Sequence, residues 1–312
     1  MDVSIIIVSW NTKALLQQCL QSVYETAAKR TFEVLVVDNA SSDGSPEMVK
    51  KEFPHVKLIC TGDNLGFAKA NNIGIKKSNG RYVCLVNSDI VILDGCIDKM
   101  CSYMDRRPSI GILGPRILNP DLTLQPSCKG FPSHWNTFCH ALALDTMFPR
   151  SRLFGGFLMK FWPHDAIQSV DIIVGCFWMV RREALNDVSL FDEKFFMFWE
   201  DIDLCKRLWI AGWEVVFFPY AESVHHGGAS YATAPIQSQI TRLCSSAQYF
   251  KKYHSRYSQI CFLLILFLHQ MNRIIGYAFI SLFFRSKRKE AILKIKRSIA
   301  GIRWIFNRSG LK

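Results

Sequence analysis

Short apolar runs alternate with amphipathic segments along the first hundred residues of the 312-residue chain. Runs such as "VSIIIVSW" (3–10) are nearly all apolar and β-branched, which is typical of strands buried on both faces of a parallel sheet. The pattern predicts strands at 3–10, 32–39, 56–62 and 81–89, and helices at 12–27, 45–53, 66–78 and 96–108. We therefore expect an α/β fold with a mostly parallel central sheet.

The pattern is weaker in the middle of the chain. Residues 115–168 are rich in Pro, His and aromatic residues, and we expect them to form an irregular excursion over a functional site. Residues 169–185 predict a strand running into a helix, and "FFMFWEDIDLCKR" (195–207) opens a helix that ends near Gly212. A further strand is predicted at 213–219.

The sequence alone argues against several classes of protein and of site. The chain has no GxGxxG and no Walker A sequence, which argues against dinucleotide-binding oxidoreductases and P-loop NTPases. Its eleven cysteines include no CxxC pair, and several lie in apolar runs (Cys84, Cys176, Cys261), so reduced and mostly buried thiols are expected. No signal peptide precedes the first strand, and we expect the catalytic part in the cytosol.

The positive charge is concentrated at the C-terminus. Residues 251–312 contain 14 Lys or Arg and a single acid, Glu290, although the net charge of the whole chain is +12. Such a block indicates an anionic partner, either a membrane or a nucleic acid. The basic residues are interleaved with aliphatic residues and match no nucleic-acid-binding module, which favours a membrane.

The same segment holds two apolar runs, 260–268 and 274–284, which "HQMNR" (269–273) separates. Neither run reaches the roughly 20 residues of a spanning helix, and reading them together would put Arg273 near the middle of a bilayer. Residues 285–308 combine an aliphatic stripe with a basic face, as interfacial helices do. We expect peripheral membrane association. The alternatives are a membrane span and helices that pack on the catalytic domain.

Polar clusters follow three predicted strands, where ligands of parallel sheets bind. Asp38 is followed by "NASSDG", which is either a turn or an acceptor for a base or sugar hydroxyl. "GDNLGFAKANNIG" (62–74) is either a loop with an N-cap at Asn64 or a nucleotide-binding helix start. Asp89 interrupts an apolar stretch, and a divalent cation would compensate its burial.

Two further groups of titratable residues have an ordinary and a functional interpretation. The adjacent His225 and His226 are either structural histidines or, near Asp89, metal ligands. Glu200, Asp201 and Asp203 complement a helix dipole, and Asp203 can pair with Arg207 at i+4. That explains Asp203 well. Glu200 and Asp201 follow an aromatic run, where partial burial favours a role as base.

Taken together, these motifs resemble the family 2 inverting glycosyltransferases with a GT-A fold, in particular their rhamnosyltransferase-like branch. The resemblance covers residues 3–230. It rests on the blocks "IIIVSWN", "VVDNASSDGS", "NLGFAKANNIG", "LVNSDIVI", "VGCFWMVRREAL", "LFDEKFFMFWEDIDLCKRLWIAGWEVVFFP" and "VHHGGAS".

The resemblance implies a role for each matching residue. Asp38 would hold the base of the nucleotide, and the other nucleotide-binding residues would be Ser9, Asn11, Asn39, Ser41, Asn64, Gly66, Asn71 and Ser88. Asp89 and His225 would hold Mg²⁺ or Mn²⁺ on the diphosphate of the donor. Asp201 would be the catalytic base, with Glu200 positioning or tuning it. Asn87 departs from the family's first acid in the metal motif.

The resemblance also implies a substrate pair and a place in the cell. We expect transfer of a sugar, with rhamnose from dTDP-rhamnose as the best guess, to a saccharide on a polyprenyl diphosphate, at the cytoplasmic face of the plasma membrane. Residues 1–250 would form the catalytic domain, with a donor half (1–115) and an acceptor half (116–250). Residues 251–312 would form a basic helical segment. The rival functions are a sugar nucleotidyltransferase and an inactive membrane scaffold.

Overall fold

A computed structural model describes residues 1–26, 30–227 and 234–308, the side chain of Arg308 excepted. The chain divides into two compact units: residues 1–131 with 163–230, and residues 132–162 with 231–312. These bounds differ from the expected ones, because residue 250 lies inside a helix of the second unit and residues 132–162 join that unit.

The elements are numbered here in chain order. The strands are β1 (Val3–Ser9), β2 (Phe32–Asp38), β3 (Lys57–Cys60), β4 (Tyr82–Asn87), β5 (Ile90–Ile92), β6 (Ile110–Leu118), β7 (Cys128–Lys129), β8 (Gln168–Ser169), β9 (Ile172–Ile173), β10 (Phe177–Arg181) and β11 (Glu214–His225). The α-helices are α1 (Lys13–Thr26), α2 (Ser45–Glu52), α3 (Phe67–Lys76), α4 (Cys96–Asp105), α5 (His134–Ala141), α6 (Leu144–Met147), α7 (Arg152–Gly155), α8 (Arg182–Val188), α9 (Glu200–Ile210), α10 (Pro235–Tyr253), α11 (Arg256–Phe283) and α12 (Arg288–Arg308).

The first unit is built on one mixed sheet with the order β3-β2-β1-β4-β10-β6-β11-β5, and β8 also pairs with β11. Strands β3, β2, β1 and β4 run parallel, as do β6 and β11. Strand β10 lies antiparallel between β4 and β6, and β5 and β8 are antiparallel to β11. The α/β class with a mostly parallel central sheet is thus confirmed.

Burial explains why the N-terminal strands are so apolar. Side chains of a strand point alternately to the two faces of a sheet, yet Ile5, Ile6 and Ile7 in β1 are all fully buried. Helices must therefore cover both faces. On one of them Leu16 and Leu20 of α1 contribute to the same buried cluster as Ile5 and Ile7. Because helices cover both faces of the sheet, polar groups can gather at the ends of the strands.

The middle of the chain differs from the sequence-based expectation. Residues 115–168 are not wholly irregular: they include the end of β6, the strand β7, the start of β8 and the short helices α5 to α7. The strand predicted at 169–185 is split into β9 and β10, with Val174–Cys176 between them. Strand β6 and the three-residue β5 were not predicted, because their pairing depends on β11, more than a hundred residues later.

The second unit is helical. Helix α11 is one continuous helix that contains both apolar runs and the "HQMNR" segment between them. Among the described residues it is the one helix long and apolar enough to cross a membrane, and few of its residues are buried. Its exposed large side chains recur every three or four residues, and we call them the α11 stripe: Tyr257, Ile260, Leu264, Leu268, Met271, Ile275, Phe279 and Leu282.

All eleven cysteines are free, as expected for reduced thiols. Cys84 and Cys176 are buried, but Cys261 is exposed on α11. Burial raises the pKa of the Cys19 and Cys96 thiols far above the usual range, so these buried cysteines remain protonated and act as small apolar residues.

Candidate active site

Asp38 lies at the carboxyl end of β2, opposite Ser9 at the end of β1. The Asp38 side chain is buried, and its Oδ2 accepts a 3.0 Å hydrogen bond from the backbone N–H of Ser41. Its Oδ1 is buried without a hydrogen-bond partner. A buried carboxylate oxygen without a donor is costly, so this atom is suited to accept a hydrogen bond from a ligand.

Asn39 connects the Asp38 turn to the loop that precedes α3. Its amide nitrogen donates to Asn64 Oδ1 (2.9 Å) and to the carbonyl of Gly66 (3.3 Å), and its Oδ1 accepts from the N–H of Leu65 (2.9 Å). Helix α3 begins at Phe67 with Gly66 as N-cap, so the N-cap expected at Asn64 is wrong. Asn64 instead accepts a 3.1 Å hydrogen bond from the N–H of Gly66.

A chain of buried hydroxyl groups joins the ends of β1 and β4. Thr12 Oγ1 lies 3.0 Å from Ser9 Oγ and 2.9 Å from Ser88 Oγ. Next to it, Asn11 adopts a positive φ of 53°, and its N–H donates to Ser41 Oγ (2.9 Å). Thr12 was not among the residues predicted from the sequence, although it directly follows Asn11, a predicted nucleotide-binding residue.

Asn71 is the predicted nucleotide-binding residue with the weakest support. Its side-chain amide donates to the carbonyl of Phe67 within the same helix and is otherwise buried. The next residue, Asn72, binds the backbone of Phe191 twice. Its Oδ1 accepts from the Phe191 N–H at 3.0 Å, and its Nδ2 donates to the Phe191 carbonyl at 2.9 Å. This side-chain hydrogen bond of Asn71 stays within α3, and its role in nucleotide binding stays a prediction.

The start of α3 is also tied to the aromatic run before α9. The N–H of Phe67 donates to the carbonyl of Phe196 at 2.7 Å. Gly66 has a φ of +82°, and a Cβ at this position would lie 2.3 Å from the Phe196 oxygen. Only glycine fits both the left-handed backbone and this close approach. The contact brings the predicted nucleotide loop next to the segment that leads into Glu200 and Asp201.

Asp89 and His225 lie together, as the metal hypothesis requires. His225 Nε2 is 3.3 Å from Asp89 Oδ1. The other ring nitrogen, Nδ1, is 2.6 Å from Gln125 Oε1, and the amide nitrogen of Gln125 contacts two oxygens, Asn119 Oδ1 and the His225 carbonyl. Because Gln125 Oε1 can only accept, Nδ1 carries a proton, and in the neutral imidazole the lone pair is then on Nε2, toward Asp89.

The donor set of this pair fits a divalent cation. A protonated ring would form an ion pair with Asp89 at this 3.3 Å distance, whereas a neutral ring leaves Nε2 and Asp89 Oδ1 able to ligate one cation. An imidazole held by a hydrogen bond on its far nitrogen is the usual form of a metal-binding histidine. Among the described residues no group of three His, Cys, Asp or Glu is placed to hold a metal. His226 contributes only its backbone N–H, which donates to the Asp89 carbonyl.

Asp201 is held in the first turn of α9. Its Oδ2 accepts from the N–H of Gly175 (3.2 Å), and its Oδ1 accepts from the N–H of Ile202 (2.8 Å). Both Phe198 and Trp199, which precede the helix, have positive φ values near 70°. Such backbone strain in aromatic residues is uncommon away from functional sites.

The two neighbouring acids of Asp201 have different environments. Asp203 is fully buried, and Arg207 Nε donates to its Oδ2 at 2.8 Å, so the i,i+4 pair predicted from sequence is confirmed. Glu200 is buried with Oε2 unpartnered. Burial, reinforced by the charges of Asp201 and Asp203, raises the pKa of Glu200 well above its usual value. Glu200 therefore binds a proton more readily than an exposed glutamate.

Cys176 connects the metal pair to Asp201. Its carbonyl accepts from the N–H of Asn87 (2.9 Å), two residues before Asp89, and Gly175 beside it contacts Asp201. Burial raises the pKa of Cys176 to about 12, and the nearby carboxylates of Asp89 and Asp201 add to the rise. The peptide segment of Gly175 and Cys176 thus links the end of β4, which leads to Asp89, with Asp201.

Comparison with known proteins agrees with this geometry. The family model "Glycosyl transferase family 2" matches residues 4–189. The chain is 32% identical over 243 residues to an N-acetylglucosaminyl-diphospho-decaprenol L-rhamnosyltransferase of Mycobacterium tuberculosis, which covers 74% of this chain and 78% of the relative.

Two solved structures show the same fold at low sequence identity. The mannosyltransferase PcManGT from Pyrobaculum calidifontis, in complex with GDP-Man and Mn²⁺, has a TM-score of 0.58 at 16% identity, over 97% of this chain and 86% of its own. TarS 1-349 of S. aureus, in complex with UDP-GlcNAc, has a TM-score of 0.52 at 15% identity, over 99% and 91%. The expected GT-A fold is thereby confirmed.

The family match spans more than half of the chain, and the relative that is nearly one-third identical includes the region of Asp201 and His225. The protein is a glycosyltransferase, and the chain belongs to glycosyl transferase family 2.

Proposed function

We propose that this enzyme transfers a sugar from a nucleotide-sugar donor to a hydroxyl group of a lipid-linked saccharide, with inversion at the anomeric carbon. The observation that carries the proposal is the position of Asp201, a carboxylate anchored by Gly175, whose neighbour Cys176 accepts from the N–H of Asn87 in the strand that leads to Asp89. Rhamnose from dTDP-rhamnose is the donor best supported, because the relative at 32% identity is a rhamnosyltransferase with a diphospho-decaprenol acceptor.

The residues around Asp38 bind the nucleotide of the donor in this proposal. The unpartnered Oδ1 of Asp38 accepts a hydrogen bond from the base or the ribose, and Asn39 and Asn64 fix the loops on either side. The hydroxyl groups of Ser9 and Ser88, joined through Thr12, offer further donors. In this proposal residues 1–115 supply most of the donor site, and Asp201 belongs to the acceptor site in the later part of the first unit.

Asp89 and His225 would hold Mg²⁺ or Mn²⁺, since carboxylate and imidazole ligands suit both the charge and the polarity of such an ion. When bound, the cation supplies positive charge that stabilises the departing nucleoside diphosphate. Asn87 cannot ligate as a carboxylate, so this chain offers fewer negative charges than the family's metal motif.

Asp201 acts as the base. It takes the proton of the acceptor hydroxyl as that oxygen bonds to the anomeric carbon from the face opposite the leaving group, and the bond from that carbon to the diphosphate oxygen breaks with its electron pair. Glu200 is a positioning residue. Its raised pKa favours the protonated form of Glu200 beside Asp201, which reduces the charge repulsion between the two acids. One carboxylate base is sufficient for a single displacement.

The second unit would attach the enzyme peripherally to the cytoplasmic face of the plasma membrane. The α11 stripe is apolar along the whole helix, and exposed cations follow at its end: Arg285, Lys287, Arg288 and Lys289. An apolar stripe flanked by basic residues is the composition of an interfacial helix.

Purified enzyme tests the proposal with a set of nucleotide sugars, each with Mg²⁺ or Mn²⁺, and a prenyl-diphosphate-linked N-acetylglucosamine acceptor. We expect transfer from dTDP-rhamnose and a loss of kcat of about 10²–10⁴ in Asp201→Asn, with unchanged nucleotide affinity. Asp165→Asn, an exposed acid, is the matched control.

Full activity of Asp201→Asn would exclude Asp201 as the base. Absence of both nucleotide and Mn²⁺ binding by the unmodified enzyme in calorimetry would instead support an inactive scaffold.

A further inference from the structure

Helices α11 and α12 of the second unit pack against each other in a definite antiparallel register. Lys294 Nζ lies 5.0 Å from the ring centroid of Tyr277, and the rings of Phe267 and Phe306 are 5.7 Å apart. A Cβ added at Gly301 would lie 3.2 Å from the side-chain amide of Gln270. In these contacts the residue numbers increase along α11 while they decrease along α12. Arg273 therefore faces the turn of α12 that carries Arg297 and Ser298.

The facing turns of α11 around Arg273 and of α12 around Arg297, here called the layer, bring two guanidinium groups together. Arg297 Nη2 donates to Gln239 Oε1 on α10 at a long 3.4 Å, and the guanidinium of Arg273 lies 5.5 Å from the ring of Tyr277. The Nε of each arginine is buried without a hydrogen-bond partner. Burial, together with the neighbouring charges of Arg273 and Arg242, lowers the pKa of Arg297. Two neighbouring cations repel each other unless an anion compensates their charge.

Two more buried polar atoms in the same layer lack partners. They are Ser298 Oγ and Gln270 Oε1, and both residues are only 1% exposed. Native proteins leave few such atoms unsatisfied, because each costs about 1–3 kcal/mol. Unpaired buried polar atoms on facing turns of two helices are placed so that one polar ligand could satisfy several of them.

The unit supplies no carboxylate to this layer. Its sequence ranges contain just two acidic side chains, Asp145 and Glu290. Asp145 lies 2.7 Å from His140 Nδ1, and Glu290 lies 2.5 Å from Lys294 Nζ. Both pair elsewhere, so neither neutralises Arg273 or Arg297 from within the unit.

We propose that Arg273, Arg297 and Ser298 form a binding site for a phosphate or diphosphate group. Guanidinium groups bind phosphate oxygens through paired N–H donors, and the serine hydroxyl adds a second kind of donor. Arg273 lies about half a helical turn from the α11 stripe, so the site faces the inside of the unit rather than the stripe. The phosphate comes either from a prenyl diphosphate lipid or from a free phosphate compound.

Metal-free calorimetry with inorganic pyrophosphate and with farnesyl diphosphate tests the site, because EDTA removes the cation-dependent binding expected at Asp89 and His225. We expect binding of at least one probe, and a loss of affinity of about tenfold or more in Arg273→Gln and in Arg297→Gln. Arg303→Gln, an exposed change on the same helix, should bind like the unmodified protein. Tighter binding of farnesyl diphosphate identifies a lipid source, and equal binding identifies a free phosphate compound.

Thermal unfolding without phosphate distinguishes a ligand site from a purely structural role. Arg297→Gln removes a repulsive cation, so we expect it to unfold at the same or a higher temperature than the unmodified protein. Pyrophosphate or farnesyl diphosphate should then stabilise the unmodified protein alone. The proposal is overturned if neither probe binds, if both glutamine variants bind normally, or if Arg297→Gln is destabilised without phosphate.

Discussion

Gln125 Oε1 accepts a 2.6 Å hydrogen bond from Nδ1 of His225, across one hundred residues of sequence. The orientation of the Gln125 amide is itself fixed, because its nitrogen donates to Asn119 Oδ1 at 2.9 Å. This contact selects the tautomer of His225 whose Nε2 lone pair faces Asp89.

Loss of this contact should weaken metal binding. In Gln125→Leu the ring of His225 loses both its orientation and its tautomer, and we expect the affinity for Mn²⁺, measured by electron paramagnetic resonance with a nucleoside diphosphate present, to fall about 10–100-fold. Gln125→Glu keeps an acceptor for Nδ1 and should retain most of the affinity. Equal Mn²⁺ affinity in Gln125→Leu and the unmodified enzyme would show that His225 needs no such partner.

Gly66→Ala should disrupt the junction between α3 and the run before α9. The left-handed backbone alone costs about 1–3 kcal/mol for a residue with a Cβ, and here the Cβ also meets the Phe196 carbonyl at 2.3 Å. Gly62→Ala is a matched control, since Gly62 has nearly the same φ and nothing within 4 Å of the added Cβ. Urea unfolding should show the larger loss for Gly66→Ala. Equal losses would mean that the Phe196 segment moves aside freely.

Glu200 should make the stability of the enzyme depend on pH. Because its pKa is raised by folding, the folded state keeps a proton that the unfolded state releases above about pH 4.5. Stability therefore falls as pH rises through this range, by up to about 1.4 kcal/mol per pH unit. Glu200→Gln should be more stable than the unmodified enzyme at pH 7 and equal to it near pH 4. The free energy of unfolding of both proteins is measured in urea between pH 4 and 8. The same pH dependence in Glu200→Gln and the unmodified enzyme would contradict the prediction.

Removal of Arg207 should expose the cost of burying Asp203. Arg207→Ala leaves a fully buried carboxylate without its cation, and we expect a loss of about 3–5 kcal/mol in the free energy of unfolding. Adding Asp203→Asn should recover part of the loss, because the buried charge is then gone. The exposed i,i+4 pair of Glu290 and Lys294 offers a comparison: Glu290→Ala should leave the unfolding temperature unchanged. A small loss in Arg207→Ala would mean that water reaches Asp203.

The α11 stripe should determine membrane affinity. Leu264→Glu places a charge in the middle of the stripe, and we expect at least about tenfold weaker binding to phosphatidylglycerol vesicles in flotation assays, since burial of one leucine is worth roughly 1.5–3 kcal/mol. Gln237→Glu adds the same charge on an exposed turn of α10 and serves as the control. If both variants float like the unmodified protein, another surface holds the enzyme on the membrane.

Sequence patterns predicted those parts of the molecule that depend on nearby residues. Strands β1, β2 and β4 follow from continuous apolar runs, and the parallel sheet then brings Ser9, Asp38 and Asn87 to one edge. The salt bridge of Asp203 and Arg207 follows from helical spacing alone. The roles of Asp201 and His225, by contrast, came from family resemblance, because their spacing fits an ordinary helix start and an ordinary strand end equally well.

Other features depend on distant parts of the chain and left no local signal. Gln125 lies in a segment without periodicity, and only the fold brings it to His225. The polar run "HQMNR" looked like a break because hydropathy along the sequence ignores helix faces. In the folded helix Gln270 and Arg273 point into the unit, Asn272 donates to the Ala141 carbonyl, and Met271 continues the exposed stripe.

The distribution of the eleven thiols makes the enzyme a convenient object for spectroscopy. Eight are buried, and three are exposed: Cys60, Cys244 and Cys261. Cys60 is paired in register with Asp38, so a fluorophore attached there would report on nucleotide binding. Cys261 is next to Ile260 of the stripe, where an environment-sensitive dye would report on contact with lipid. Maleimide reagents should reach these three positions in the native protein without prior removal of the buried cysteines.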